Sequence, residues 1–503
     1  MDRRLLFLVL FAFTMIKCED NIENATDANS KKVILETKDD EAIDTNATES
    51  PESKSPRICQ VCNCTKAGEI NCDDRNMTAI FTRWQWNAKV SKVASFKGNL
   101  IEHITPFPIS TINRLILQGN KITKIDDAAF KQIINLTELD LSHNKLTSES
   151  LNPKVFEGKF SREAYEPLEN LTILTVAYNK IHSFHQDLFE HMSNLRVLNM
   201  SHNLFAQIDY STSLAISSIR QLEELDLSYC DLKQIPETLF HTTRYLKKLN
   251  LSGNRIMIPP VALGDAIALE YLYMDENPIK IINNSHPFPN MTKLKELSFC
   301  CMPHLTAIGS GSFLGLDSLE TLRIQNCPNL QVIHEFALNY QTESNEPMWP
   351  PLKELVLSDN ALQYLPQYLL LRWDLLEKLD LTNNKWSCDC NNQYLIGQML
   401  PQQGKKLMGD NVDALTCATP PEHAGKNLSS LFEKHLRCLD LYGARPEKDT
   451  AILIGVLIGV LLAIPVCLII FFLWRRGFFF WSSSGPASFS RAFYKRTSTT
   501  EDN

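Results

Sequence analysis

The chain has 503 residues, enough for several domains, and 44% of them are hydrophobic. Its formal net charge is −8, and no basic stripe occurs outside the short C-terminal tail, so nucleic acid is excluded as an expected partner. The apolar residues are unevenly spread, which points to separate segments rather than one large soluble globule.

The N-terminus reads MDRRLLFLVLFAFTMIKC, two arginines before an apolar run from Leu5 to Ile16. The run is too short to span a bilayer comfortably. Residues 1–18 therefore read as a secretory signal peptide cleaved near Cys18, in preference to a first transmembrane helix. Residues 19–57 are rich in Asp, Glu, Asn, Ser, Thr and Lys. So little apolar surface cannot offset the entropy of folding, and a disordered acidic stalk is expected. Then comes ICQVCNCTKAGEINC, with Cys59, Cys62, Cys64 and Cys72. In a secreted chain this density reads as a disulfide knot; zinc ligation is the competing reading, disfavoured by the secretory route.

Periodicity takes over next. The pattern LxxLxLxxNxL appears as LTELDLSHNKL at 136–146, LRVLNMSHNLF at 195–205, LKKLNLSGNRI at 246–256 and LKELVLSDNAL at 352–362. Twelve repeats start near 91, 112, 136, 171, 195, 222, 246, 269, 294, 319, 352 and 376. A period of about two dozen residues marks a solenoid, because a single unit has too little apolar surface to fold alone. The first, fourth, sixth and eleventh places point inward, and the middle of the motif is a short strand pairing in parallel with the next at about 4.8 Å. The ninth place is Asn at 99, 120, 144, 179, 203, 254, 277, 360 and 384, suited to bond buried backbone groups of adjacent turns. Cys230, Met302 and Cys327 break that rule. Cys230 reads as a buried free thiol, three turns from Cys300; Cys301 and Cys327, in neighbouring turns, are candidates for a bridge. Phe130, Phe189, Phe240 and Phe313 are expected to fill the back of the stack. The repeats at 136 and 319 carry insertions, LNPKVFEGKFSREAYEP and NYQTESNEPMWPP, readable as tolerated loops or as contact loops.

Past the repeats stand Cys388, Cys390, Cys417 and Cys438. Residues 451–474 carry no charge, and a helix of that length exceeds the roughly 30 Å hydrocarbon core. Arg475, Arg476 and the aromatics Phe478 to Trp481 follow, as a cytoplasmic interface should show. A single-pass span in the lipid bilayer is expected, with the N-terminus outside and residues 475–503 inside; a cleaved anchor signal is the alternative. Gly455, Gly459 and Ala463 recur every four residues, a spacing that lets two copies of a helix approach, so homodimerisation is one reading and chance occurrence the other. The tail has no room for a folded signalling domain.

The repeats and their flanking cysteines, above all NKWSCDCNNQYLIGQML at 384–400, resemble extracellular leucine-rich-repeat proteins with cysteine-rich N-terminal and C-terminal caps. The resemblance covers residues 58–440. It implies an α/β leucine-rich-repeat solenoid, a curved horseshoe with parallel strands on the concave face and an irregular or short helical convex side. It also implies pairing of Cys59 with Cys64, Cys62 with Cys72, Cys388 with Cys417 and Cys390 with Cys438. The caps are expected because a stack exposes its core at both ends. The N-terminal spacing departs from the commoner one, with two residues rather than three between the first pair. The expected organisation is 1–18 signal peptide, 19–57 stalk, 58–88 N-terminal cap, 89–386 repeats, 387–440 C-terminal cap, 441–450 linker, 451–474 transmembrane helix and 475–503 tail.

The third, fifth, seventh and eighth places are expected to face outward from the strands, on the concave side. They include Glu138, Asp140, His143, Tyr178, His202, Glu224, Asp226, Tyr229, Lys248, Tyr271, Tyr273, Asp275, Glu276, Glu296, Arg323, Glu354 and Asp380. Tyr178, Tyr229, Tyr271, Tyr273 and Arg323 are the candidate contacts for a protein ligand, since aromatics and arginine are enriched at binding hot spots. Singly, each is as readily a solvated strand position. Sequons stand at Asn24, Asn46, Asn63, Asn76, Asn135, Asn170, Asn199, Asn250, Asn283, Asn290 and Asn427, as on an extracellular surface. Asn199 and Asn250 occupy fifth places, so glycans there would partly shield the concave centre. No nucleophile elbow, phosphate loop or metal-binding histidine pair occurs, and no cofactor is expected. The leading functional reading is a plasma-membrane recognition protein, an adhesion molecule or co-receptor binding an extracellular protein. An innate-immune or ligand-sequestering receptor without its own signalling domain, and a structural matrix-linking protein, are the alternatives.

Overall fold

The structure, a computed structural model, describes residues 58–80, 92–160, 165–166, 168–341, 347–438 and 446–476. The expected signal peptide, the stalk and most of the tail lie outside the described residues, with the sequons at Asn24 and Asn46.

Twelve three-residue strands answer to the twelve repeats. In chain order, after the cap strands β1 (Asn63–Cys64) and β2 (Glu69–Asn71), they are β3 (Val93–Ser95), β4 (Arg114–Ile116), β5 (Glu138–Asp140), β6 (Ile173–Thr175), β7 (Val197–Asn199) and β8 (Glu224–Asp226). The others are β9 (Lys248–Asn250), β10 (Tyr271–Tyr273), β11 (Glu296–Ser298), β12 (Thr321–Arg323), β13 (Glu354–Val356) and β14 (Lys378–Asp380). All fourteen form one sheet in chain order. Each repeat strand covers the third to fifth places and pairs in parallel, in identical register: Leu139 opposite Leu174, Leu174 opposite Leu198, Leu198 opposite Leu225. With period-two alternation, that register buries the fourth place of every turn and turns the third and fifth outward. The buried row from Leu115 to Leu379 is at most 2% exposed. Burying one such side chain stabilises the stack by roughly 1.5–3 kcal/mol.

Away from the sheet each turn closes through short pieces. These include a helix α1 (Tyr210–Ser218) capped by Asp209, whose carboxylate accepts from the Thr212 amide at 2.7 Å, and a three-strand ribbon of Ile281–Ile282, Ala307–Ile308 and Val332–Ile333. Phe130, Phe189, Phe240 and Phe313 are all buried there, and Phe130 stacks between Phe107 and Phe156. The two insertions contain antiparallel pairs, Lys159–Phe160 with Tyr165–Glu166 and Tyr340–Gln341 with Pro347–Met348.

The ninth-place asparagines are rungs, buried at every turn but the last, where Asn384 is half-buried. Asn203 Nδ2 donates to the carbonyls of Val176 (2.9 Å), Met200 (3.0 Å) and Ser201 (3.2 Å), while its Oδ1 accepts from the Ile181 amide at 3.1 Å. Each rung thus ties its own turn to the one before, and no apolar residue of similar size could replace those bonds. Where the rung is Cys230, the thiol donates to Met200 O (3.3 Å) and Ser228 O (3.5 Å), a weaker version of the same link. Burial pushes that thiol up to about 12, so it stays protonated and donates. Cys327 does likewise toward Gln325 O at 3.4 Å, and its sulfur accepts from the Met302 amide at 3.4 Å. The bridge considered between Cys301 and Cys327 is absent: no disulfide joins them. Cys301 sits at the eighth place with φ 55°, outside the core, whereas Cys327 is turned inward as a rung.

Disulfides close both ends. Cys59 is bonded to Cys64 and Cys62 to Cys72, holding an antiparallel β1–β2 pair whose second strand continues the sheet onto β3. Cys388 is bonded to Cys417 and Cys390 to Cys438. Under the last turn Trp386 is 1% exposed and donates to Leu381 O. Asn392 takes over the rung's work there, accepting from the Leu365 amide (3.1 Å) and donating to Gln363 O (2.7 Å). A separate helix α2 (Pro446–Arg475) runs through Pro465, and its stretch Ile452–Arg475 is long and apolar enough to cross a membrane.

Candidate binding surface

Outward places divide into three bands. The first is the strand face. Third- and fifth-place charges there pair across strands: Arg114 with Glu138 (2.9 Å), Lys248 with Glu224 (3.7 Å) and Lys378 with Glu354 (2.9 Å). Arg323 is committed twice, to Glu296 at 3.2 Å and Glu354 at 3.4 Å. It reads as structural before it reads as a ligand contact. A pocket of about 400 Å³ opens on this face, lined among others by Asn199, Glu224, Asp226, Lys248, Asn250 and Tyr273. Its two sequon asparagines flank Asp226. Both accept from the backbone amide two residues on, Ser201 and Ser252, each at 3.0 Å. Tyr271 is exposed beside Tyr273, whose phenol is pushed up by burial and by Glu296.

The seventh place faces outward in the first turn, at Lys97, but in most later turns it does not. Ser142, Ser201, Ser228, Ser252 and Ser358 are buried there because the chain has already left the strand. Ser228 shows why: its amide (2.9 Å) and hydroxyl (2.6 Å) both donate to Asp226, folding the seventh place back under the fifth. Asp275, also a seventh place, accepts from Ser298 Oγ and the Cys300 amide, each at 2.7 Å. Burial raises its carboxyl above the ordinary value.

The second band is the rim before the strands, at the second place. Glu223 takes Arg196 and Lys247, each at 2.9 Å; Glu270 takes Lys295 at 2.8 Å; Glu320 takes Lys353 at 2.7 Å.

The third band is the rim after the strands, and sequence reasoning misplaced it. The eighth place lies three residues past each strand end in a left-handed turn: His143, Tyr178, His202 and Tyr229 have φ of 53–54°. Glycine is expected for such a conformation, and the chain uses it at Gly119 and Gly253, but not at these four. Instead their rings stack. Centroids are 4.0 Å apart for His143–Tyr178, 3.8 Å for Tyr178–His202 and 4.4 Å for His202–Tyr229. The planes lie within 24° of parallel. The row ends at Gly253, where a Cβ would run into the Tyr229 ring. Tyr178 is 43% exposed and Tyr229 39%. His202 Nδ1, between them, is buried with no hydrogen-bond partner. Burial lowers the His202 imidazole below its ordinary value, opposed by Asp226 and aided by His143. The structure therefore gathers Tyr178 and Tyr229 into one feature with two histidines and leaves Tyr271 and Tyr273 on the strand face. The signal was in the sequence as an aromatic or His at the eighth place of four consecutive repeats.

Of the nine described sequons, Asn63, Asn76, Asn135, Asn170, Asn290 and Asn427 are exposed, and Asn199, Asn250 and Asn283 are half-buried. Among the described residues no group of three His, Cys, Asp or Glu side chains is placed to hold a metal ion.

Repeat geometry, rungs and caps define the class, a disulfide-capped solenoid of leucine-rich turns. Comparison with known families agrees. A leucine rich repeat model matches residues 110–159, 169–223 and 220–279, and a BspA type leucine rich repeat region model matches 265–379. Together they span more than half of the chain, which belongs to the leucine-rich-repeat family. Among curated proteins it is similar to Tsukushi of Gallus gallus, 27% identical over 326 residues, which is 63% of this chain and 80% of that protein. It is also similar to Podocan of Mus musculus, 24% identical, covering 55% of this chain and 52% of Podocan. Among solved structures, one chain from an octameric complex of Latrophilin 3, Unc5D and FLRT2 (LRR) aligns with a TM-score of 0.41 and 19% identity, over 73% of this chain and 96% of that one.

Proposed function

We propose that this chain is a cell-surface recognition protein, an adhesion molecule or co-receptor, whose solenoid binds an extracellular protein ligand. One observation carries the reading: a capped repeat stack with exposed tyrosines and a membrane-length apolar helix occur in one chain. A rigid stack offers a long surface without ordering cost, which suits protein recognition rather than chemistry. In this reading residues 1–18 direct secretion, 58–440 form the capped ectodomain and 451–474 span the plasma membrane. The N-terminus is outside, and residues 475–503 form the cytoplasmic tail. The contacts proposed are Tyr178, Tyr229, Tyr271 and Tyr273, with Arg323 holding the strand face in shape. Glycans on Asn199 and Asn250 would stand over the concave pocket and direct a partner to its rims. Gly455, Gly459 and Ala463 supply a close-packing face for self-association in the bilayer; the two glycines have no atom within 4 Å of a would-be Cβ.

Proximity labelling by the full-length chain on living cells tests the reading. Enrichment of defined surface proteins supports it, and labelling no different from that of an unrelated single-pass protein defeats it. Deleting residues 477–503 then separates a co-receptor, which loses its cellular effect, from an adhesive or sequestering protein, which keeps it.

A further inference from the structure

The rim after the strands carries a second row beside the rings. At the tenth place, two residues beyond each eighth, consecutive turns present Lys121, Lys145, Lys180 and Leu204, all exposed. Leu204 is 63% exposed. Among the described residues none of the three lysines pairs with a carboxylate, whereas those of the opposite rim at 247, 295 and 353 all do. The next two tenth places, Asp231 and Arg255, pair with each other and close the row. Beside it runs the stack of His143, Tyr178, His202 and Tyr229.

We propose that this rim, from Lys121 to Tyr229, is a docking edge for an acidic peptide segment of a protein partner. The inference rests on the protein-recognition reading above and adds the place and the chemistry. Charge complementarity chooses the occupant: three unpaired cations on neighbouring turns, about 4.8 Å apart, match carboxylates along an extended chain. Leu204 then meets an apolar side chain at the end of that run. Rings stacked face to face along the rim turn their edges outward, and an aromatic edge is the positive part of its quadrupole, favouring carbonyl and carboxylate oxygens. The stack is already ordered, so binding freezes few rotamers. No sequon falls on an eighth or tenth place of these turns, so a glycan on Asn199 or Asn250 leaves the edge open. A densely sulfated polysaccharide fits less well, because Glu138, Asp140, Glu224 and Asp226 line the adjoining strand face.

The test uses the full-length chain in detergent micelles and a fluorescein-labelled peptide of five glutamates and one leucine, followed by polarisation. Binding that weakens with salt is expected. The triple change K121Q/K145Q/K180Q should weaken it by about tenfold or more, while E223Q/K247Q on the opposite rim should leave it unchanged. All three lysines are exposed, and a thermal midpoint equal to that of the unaltered chain verifies folding. Equal binding of a glutamine version of the peptide would overturn the proposal, as would an unaffected triple variant, or a heparin hexasaccharide that binds where the glutamate peptide does not. Failure of the wider reading looks different. If the triple variant still labels the same surface proteins on cells, only the docking edge fails; if neither chain labels any, the recognition reading fails with it.

Discussion

The two rims of the sheet start from the same repeat and end differently. Before the strands, Glu223, Glu270 and Glu320 each hold a cation from a neighbouring turn, so those charges are satisfied within the stack. After the strands, a left-handed turn stands above each buried rung, His143 to Tyr229 stack, and Lys121, Lys145 and Lys180 pair with no described carboxylate. The contrast teaches that outward polarity alone does not mark a binding surface. Groups already paired across turns hold the solenoid, and groups left over are available to a partner.

The rung behind the second rim should give the largest effect. Asn203→Ala removes three donated bonds and one accepted bond in a buried site. A loss of about 3 kcal/mol is expected in chemical unfolding of the full-length chain. A loss below about 1 kcal/mol would mean the rung is replaceable and the comparison misplaced. Gly253→Ala comes next. Its φ is +65° and the new Cβ would meet the Tyr229 ring, so a cost of about 1–2 kcal/mol is expected, with a change in tyrosine near-ultraviolet dichroism as the stack gives way. Unchanged dichroism would show that the stack does not depend on that vacancy.

On the opposite rim Glu223→Gln should cost less than about 1 kcal/mol, since its two ion pairs are solvent-facing and screened. A larger loss would erase the distinction between the rims. The finest contrast is in pH. His202 is held below its ordinary value of 6.5, so the unfolded chain binds the proton more readily. Its contribution is full above about 6.5 and is lost as pH falls through the lower folded value. Glu223 is held below 4.5 by Lys247 and Arg196, so its contribution is full above 4.5 and lost only in stronger acid. Melting temperature should therefore begin to fall as pH drops below about 6.5 in the unaltered chain, and His202→Gln should flatten that fall. Glu223→Gln should lower the melting temperature slightly and evenly above pH 4.5 and change its pH dependence only on the acid side of 4.5.

Much of this was legible beforehand. The twelve turns, the inward leucines and the Asn rungs follow from a period that leaves one apolar stripe per turn, and the structure places its strands two residues into each repeat. The seventh and eighth places were not legible. Strand alternation stops at the strand's end, where Asp226 and its counterparts draw the seventh place inward in most turns and a positive φ throws the eighth onto the rim. Backbone handedness at a non-glycine residue has no reliable mark in a single sequence. Stacking across turns also depends on register, which emerges only when neighbouring turns are laid together. The bridge considered between Cys301 and Cys327 failed for the same reason: places eight and nine point opposite ways.

The most direct test of the account is to label partners on living cells with the full-length chain, its K121Q/K145Q/K180Q form and its E223Q/K247Q form side by side. The account predicts a set of surface proteins shared by the unaltered chain and the E223Q/K247Q form and lost from the lysine variant. An identical set from all three would contradict it.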